Sequence, residues 1–308
     1  MKRVVITGAT GAIGRALIKI CIKEGYEVLT VVHRESLRSS ELINLQHCKV
    51  LNLNLDEYDH AIEEMNKQGI EKEGYELFFH LAWMAPFGKD RDNLDLQMNN
   101  VKAAIAAVRF AKELGCATFI GTGSQAEYGR VEGLLSPNTP AFPESGYGIT
   151  KLCAGQLTRL ACEQNGLRHI WCRVLSVYGP YDRDQTLISY AVKKMMNNED
   201  TEFSPCDQMW DYIYSDDAAI AILLVGQKVE SGKVYMIVNG EFHPLKEYIH
   251  KIAEITEYKK EIGFGKRPYN DKQVMYLQAD ISELRELGFQ LMVKFDEGIR
   301  MIIEQSRS

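Results

Sequence analysis

No stretch of this chain is apolar for long enough to cross a bilayer. The longest such run is Ala218–Val225, against the ~18–20 residues that a span requires. No signal peptide is expected, because apolar strand residues begin at Val4; the chain is expected in the cytoplasm. Cysteine is sparse and unpaired in pattern: the seven thiols, at 21, 48, 116, 153, 162, 172 and 206, are odd in number and form no C-x-x-C. That excludes a disulfide framework and points to buried thiols in a reducing compartment. His169 and Cys172 lie in a strand-like run without a second ligand pair, so no metal is expected. An excess of positive charge is missing too. The formal net charge is −6, which gives no reason to expect nucleic acid or an anionic membrane as partner. A phosphate-bearing ligand would be small and held by local donors.

What is present is an ordinary globular composition, 45% apolar and 25% charged over 308 residues, enough for one large or two closely associated domains. Strand-like and helix-like patterns alternate from the start. Lys2–Thr7, Tyr26–Val32, Lys49–Leu53, Leu77–Leu81, Thr118–Thr122 and His169–Leu175 read as strands. Arg15–Glu24, Gln97–Leu114 and Tyr147–Gln164 read as helices, with Gly25 and Gly115 where C-caps belong. Such alternation predicts an α/β fold built on a doubly wound parallel sheet. Beyond residue 175 the period loosens. A helix is expected over Leu187–Met196, another opens at Ser215-Asp216-Asp217 as cap and dipole match, and Val234–Val238 reads as a further strand. After residue 241 there are two helix-like segments, Leu245–Thr256 and Ile281–Leu287, among shorter pieces. The expected division is residues 1–175 plus 211–240 for the sheet domain, and 176–210 plus 241–308 for a smaller, discontinuous C-terminal substrate lobe.

The first strand runs into Thr7-Gly8-Ala9-Thr10-Gly11-Ala12-Ile13-Gly14 and then a helix. Glycines so spaced permit a tight turn, close backbone approach to a pyrophosphate, and close helix-on-strand packing, with the helix N-terminus offering N–H groups to phosphate. At the end of the second strand a carboxylate is missing: the sequence reads Val31-Val32-His33-Arg34. An acidic residue there would accept from a ribose 2′-hydroxyl, whereas Arg34, helped by His33 or Arg38, suits a 2′-phosphate. NADP(H) is therefore expected in preference to NAD(H).

Tyr147 and Lys151 stand at i and i+4, on one helical face. A fixed ammonium beside a phenol favours the phenolate and tunes it for proton exchange with a substrate oxygen; Lys151 is also placed to bind ribose hydroxyls. Upstream, Gly121-Thr122-Gly123-Ser124-Gln125-Ala126-Glu127-Tyr128-Gly129 follows an apolar strand and sets the Ser124 hydroxyl at the carboxyl end of the sheet, where such folds bind ligands.

With these motifs in order, and with Phe79-His80-Leu81-Ala82, Asn99-Asn100-Val101, Arg173–Pro180 and Trp210–Asp217 added, the chain strongly resembles the extended short-chain dehydrogenases of the NAD-dependent epimerase/dehydratase group, which act mostly on nucleotide-activated sugars. The resemblance implies a Rossmann-like fold and the roles of Ser124 as substrate-oxygen donor, Tyr147 as acid/base and Lys151 as its activator. It also implies cofactor contacts from Gly8, Thr10, Gly11, Ala12, Ile13, Gly14, Leu81 and Ala82, with Asn54 near the adenine. Asn100 resembles the family's structural asparagine behind the active site and is counted with the cofactor residues. The group often dimerises through two long helices, here Gln97–Leu114 and Tyr147–Gln164, so a homodimer is expected.

Two departures bear on the substrate. Ser176 stands where the family has an asparagine, and Trp210 where it has an arginine, both common contacts to the diphosphate. Arg183 and Lys193 are the candidate replacements; Trp210 either stacks on a base or sugar or packs in the core. The dehydratase branch carries an Asp-Glu pair after the catalytic hydroxyl, but here those places are Gln125 and Ala126, so 4,6-dehydration is not expected. Glu127 is one place too far along for that role. Three functions remain: a reductase of a 4-keto sugar nucleotide, a 4-epimerase on the same residues, and a non-catalytic sensor of NADP(H) or sugar nucleotide. Gln125, Ser176, Arg183 and Trp210 are the expected substrate contacts.

Overall fold

The strands alternate their apolar residues between two helical layers. In β1 (Arg3–Thr7), Val4 and Ile6 join one core and Val5 the other, as the period of two requires. The structure is a computed structural model and describes residues 2–307. After β1 come α1 (Ala12–Lys23), β2 (Glu27–Val32), the short α2 (Ser40–Ile43), β3 (Cys48–Asn52), a 3₁₀ turn over Leu55–His60, α3 (Ala61–Lys67) and β4 (Tyr75–His80). Next are α4 (Leu94–Glu113), β5 (Thr118–Ser124), α5 (Gly146–Asn165) and β6 (Arg168–Val174). The second half holds β7 (Val177–Tyr178), α6 (Leu187–Met196), β8 (Met209–Trp210), β9 (Ile213–Tyr214), α7 (Ser215–Lys228), β10 (Lys233–Ile237), β11 (His243–Pro244), α8 (Leu245–Ile255), α9 (Ser282–Glu286) and α10 (Phe295–Arg307).

Seven strands form one parallel sheet in the order β10-β6-β5-β4-β1-β2-β3. This is the Rossmann-like sheet expected from the alternation, and its order reverses between β1 and β4, where ligands bind in such folds. One face is covered by α1 and α7, the other by α3, α4 and α5. A further core gathers Tyr178, Ile188, Val192, Tyr214, Tyr248, Ile249, Ile299 and Ile303 from β7, β9, α6, α8 and α10, with Phe203 and Tyr212 from the connecting loops.

Three details depart from the sequence reading. Helix α10 was not expected, although Phe295, Ile299, Ile302 and Ile303 share its inner face at helical spacing. The expected lobes also exchange residues: Leu277, Ala279, Ile281, Leu284 and Phe289 of the tail pack with the sheet, while Tyr212 and Tyr214 pack with the smaller core. Finally, Ser215 does not cap α7. Tyr214 holds the cap position without a side-chain bond, and the Asp217 carboxylate accepts from the amides of Met292 and Val293 at 3.0 Å each, tying the chain before α10 to the sheet domain.

Candidate active site

A cavity of about 780 Å³ opens along the carboxyl ends of β1, β2, β4 and β5. Its floor begins at the Gly-rich turn. Gly8, at φ +70°, presses so close to the next strand that a Cβ would lie 2.7 Å from the Ala82 nitrogen; at Gly14 one would lie 2.8 Å from the Ala9 Cα. Gly11 is different, since a Cβ there would have only the Gly8 oxygen within 4 Å, at 3.7 Å. Gly11 also caps α1 without a side-chain bond. The helix thus presents an uncovered N-terminus to the cavity, which fits a pyrophosphate. Gly8, Thr10, Gly11, Ala12, Ile13, Gly14, Leu81 and Ala82 all line this space. Thr7 fastens it from behind, its hydroxyl accepting from the Leu81 and Ala82 amides at 3.2 Å and bonded to His80 Nδ1 at 3.0 Å.

Two expected cofactor residues turn away from the cavity. Arg34 pairs through Nε with Glu57 at 2.9 Å and through Nη2 with Glu64 at 3.0 Å. Lys67 and Arg34 together hold the Glu64 carboxyl down to about 2. Asn54 closes the same network: its Oδ1 accepts from the Arg34 amide, and its own amide donates to Glu57. Both carboxylates engage that guanidinium on the side away from the cavity. The groups facing the cavity there are His33 and Arg38, and Arg38 donates to the Tyr181 carbonyl at 3.0 Å while Arg15 stacks 4.8 Å over the Tyr181 ring. Asn100 is likewise enclosed. Its amide oxygen accepts from the Met84 nitrogen at 2.8 Å and its amide nitrogen donates to the Met84 oxygen at 3.0 Å, so it clamps the loop after β4 and does not reach the cavity.

Ser124, Tyr147 and Lys151 converge at the other end of the same space. Ser124 ends β5, and its hydroxyl is the hydrogen-bonding neighbour of the Tyr147 phenol. Burial raises the phenol above its ordinary value, opposed by Ser124 and by the charge of Arg91. Lys151 is 4% exposed. Its ammonium donates to the Thr122 carbonyl at 2.8 Å and lies 3.9 Å from the centre of the Trp83 ring. Burial pulls it down to about 7, with Glu127 opposing. Gln125, Ser176, Arg183 and Trp210 also line the cavity. The two departures from the family pattern meet each other there, for Trp210 Nε1 donates to Ser176 Oγ at 2.9 Å. Lys193 lies outside it, paired with Asp184 at 2.7 Å.

Sequence reasoning missed what holds Ser124 in place. Glu127, fully buried, accepts from the Ser124 amide at 2.8 Å, from Trp171 Nε1 at 3.1 Å and from Arg173 Nε at 2.7 Å. The Trp171 ring fills a slot between three glycines: a Cβ on Gly121, Gly123 or Gly155 would come within 2.5, 3.0 and 2.8 Å of it. The signal was readable, because Gly-x-Gly on β5 registers directly against Trp-x-Arg on β6, small beside large.

Fold and cavity together define a dinucleotide-dependent enzyme of the Rossmann type, with a hydroxyl, a phenol and an ammonium at its reacting end. The chain belongs to the NAD dependent epimerase/dehydratase family, whose pattern matches residues 4–239, and it is an enzyme of the extended short-chain dehydrogenase type. It is 25% identical over 98% of its length to a CDP-abequose synthase of Salmonella muenchen, covering 97% of that protein. It is also 25% identical over 99% of its length to a dTDP-4-dehydro-6-deoxyglucose reductase of Escherichia coli, again covering 97%. Among solved structures, a UDP-glucuronic acid 4-epimerase from Bacillus cereus, in complex with UDP-glucuronic acid and NAD, superposes with a TM-score of 0.84 at 21% identity, with 99% of each chain covered. Among the described residues, no helix is long and apolar enough to cross a membrane.

Two outcomes are expected from this site. Glu127→Gln leaves Arg173 buried without its counter-charge and should cost about 3–5 kcal/mol in denaturant unfolding; adding Arg173→Met should recover part of it. Lys151→Met should stabilise the ligand-free protein. The buried amine holds its proton less tightly than in the unfolded chain, so its penalty is full below about pH 7 and fades as pH rises towards 10.5. The gap in melting temperature between variant and wild type should narrow over that window.

Proposed function

We propose that this enzyme reduces the keto group of a nucleotide-linked 4-keto-6-deoxyhexose, with NADPH preferred. The observation that carries the reading is the convergence of Ser124, Tyr147 and Lys151 on one end of the cavity while Gln125 and Ala126 stand where a dehydratase needs its carboxylates. The likeness to a dTDP-4-dehydro-6-deoxyglucose reductase over almost the full length of both chains supports it. Gly8–Gly14 would hold the dinucleotide, which would supply the hydride when bound. Ser124 donates to the substrate carbonyl oxygen and fixes its orientation. The Tyr147 phenol, kept protonated at neutral pH by burial, gives its proton to the nascent alkoxide. Lys151 balances the phenolate left behind and restores the proton from solvent. Arg183 takes over contact with the diphosphate, and Trp210, held edge-on by Ser176, offers a face to the sugar or base. For the 2′-phosphate we assign His33 and Arg38, since Arg34 is committed elsewhere.

A 4-epimerase on the same residues is the second reading. The withdrawal of Arg34 favours it, because it removes one cation that a 2′-phosphate would use. The two readings separate on net cofactor turnover. Purified protein offered a panel of 4-keto-6-deoxy sugar nucleotides should consume NADPH stoichiometrically, and Tyr147→Phe should lower kcat by about 10²–10⁴-fold with little change in the KM for NADPH. Interconversion of hydroxyl epimers without net NADPH loss would transfer the reading to the epimerase, and inertness towards the whole panel would end it.

We propose further that the enzyme is a homodimer. Helices α4 and α5 pack side by side, and their outer faces leave Leu94, Met98, Ile149, Leu157 and Leu160 between 39% and 64% exposed. An apolar patch on two parallel ridges suits a second copy of itself. Light scattering should give twice the chain mass, and Ile149→Glu with Leu157→Glu should halve it; a monomeric wild type at micromolar concentration would overturn the assignment.

A further inference from the structure

Tyr147 lies between two cations brought by different parts of the chain. Lys151 comes from one turn further along α5, its ammonium 5.9 Å from the centre of the phenol ring. That ammonium is engaged elsewhere, with the Thr122 carbonyl and the Trp83 ring. Arg91 is nearer. Its guanidinium carbon stands 4.4 Å over the Tyr147 ring. Arg91 belongs to a 3₁₀ turn, Lys89–Asp92, just before α4. Its Nη1 donates to the Pro86 carbonyl at 2.6 Å, a neutral partner that leaves its charge facing the cavity. The next residue fastens the turn to the helix carrying Tyr147, as Asp92 accepts from the Gly146 amide at 2.6 Å.

We propose that Arg91 is a positioning residue for the proton transfer at Tyr147, a second cation that favours the phenolate from the face of its ring. The proposal rests on Tyr147 as the acid of the reading above. A neutral phenol offers a cation only its ring quadrupole. On ionisation the negative charge spreads from the oxygen into the ring, so a guanidinium over the face gains a charge–charge attraction that the neutral form lacks. An opposite charge at 4–6 Å lowers an acidic group by about 1–3 units. Arg91 adds its charge from the face of the ring, complementing Lys151, which is buried and also held by the Thr122 carbonyl and the Trp83 ring. The groups facing Tyr147 are few. Ser124 meets it from β5, Glu127 opposes ionisation from the turn after β5, Lys151 comes from α5 itself and Arg91 from the turn before α4; Asp92 sits at the N-terminus of α5, and Trp83 stands edge-on at 6.1 Å without charge.

The test is a titration of the substrate-free protein labelled with [¹³Cζ]tyrosine, the Tyr147 resonance being assigned by Tyr147→Phe. Arg91→Gln should raise the Tyr147 pKa by about one unit or more, and Arg91→Lys should bring it most of the way back. The basic limb of kcat, where the phenol loses its proton, should move upward by the same amount in Arg91→Gln, with the KM for NADPH unchanged. Arg91→Met, which keeps the aliphatic stem over the ring, serves as a second uncharged variant if the first fails to fold. A Tyr147 pKa unmoved in the uncharged variants, or no closer to wild type in Arg91→Lys, overturns the proposal. Because the titration needs no substrate, it reads Arg91 even if the reductase assignment fails.

Discussion

One buried ion pair governs the geometry of the reacting end. Glu127 and Arg173 lie beneath the cavity, 0% and 5% exposed, where unpaired charge would cost several kcal/mol. Glu127 can only be satisfied if the Ser124 amide, the Trp171 indole and the Arg173 guanidinium all point at it. Satisfying it therefore fixes the end of β5 and the tilt of Trp171. The indole in turn sets how closely α5 approaches the sheet, because Gly155 is the helical residue against its flat side. Tyr147 and Lys151 ride on that helix. The distance between the hydroxyl, the phenol and the ammonium is thus decided by groups that never touch a ligand.

The parts of this arrangement written locally were legible. Strand and helix periods, the glycine spacing and the i, i+4 pair of Tyr147 and Lys151 depend on neighbours in sequence, and the seven-stranded sheet follows from them. What depends on tertiary competition was not. Arg34 stands where a 2′-phosphate contact was expected, but it pairs with Glu57 and Glu64, which a separate turn and helix deliver. Asn54 went with it. Asn100 does hold structure behind the site, as the resemblance implied, but its partner, both ends of the Met84 peptide, emerges only from the path of the 81–87 loop.

The substrate end illustrates a subtler limit. Ser176 and Trp210, read singly, are two losses of a phosphate donor. In the fold they are one replacement, since the indole N–H and the serine hydroxyl bond to each other across 34 residues of sequence. The two groups satisfy each other and form part of the cavity wall, and that wall is aromatic. The guanidinium groups remaining on this side, Arg91 and Arg183, rest against rings, Tyr147 and Phe87, so charge and aromatic surface are interleaved along the cavity.

Arg38 and Tyr181 stand on opposite sides of the boundary between the two cores, joined by one hydrogen bond, with Arg15 stacked beneath. The hydrogen bond contributes about 0.5–1.5 kcal/mol and the stacking about 0.5–2 kcal/mol. Contacts of that size fasten the two segments to each other without making them rigid. Arg38, which lines the cavity beside the end of β2, is thereby joined to the segment after β7 that lines the same cavity from the other side, so the two cores share one wall of the site.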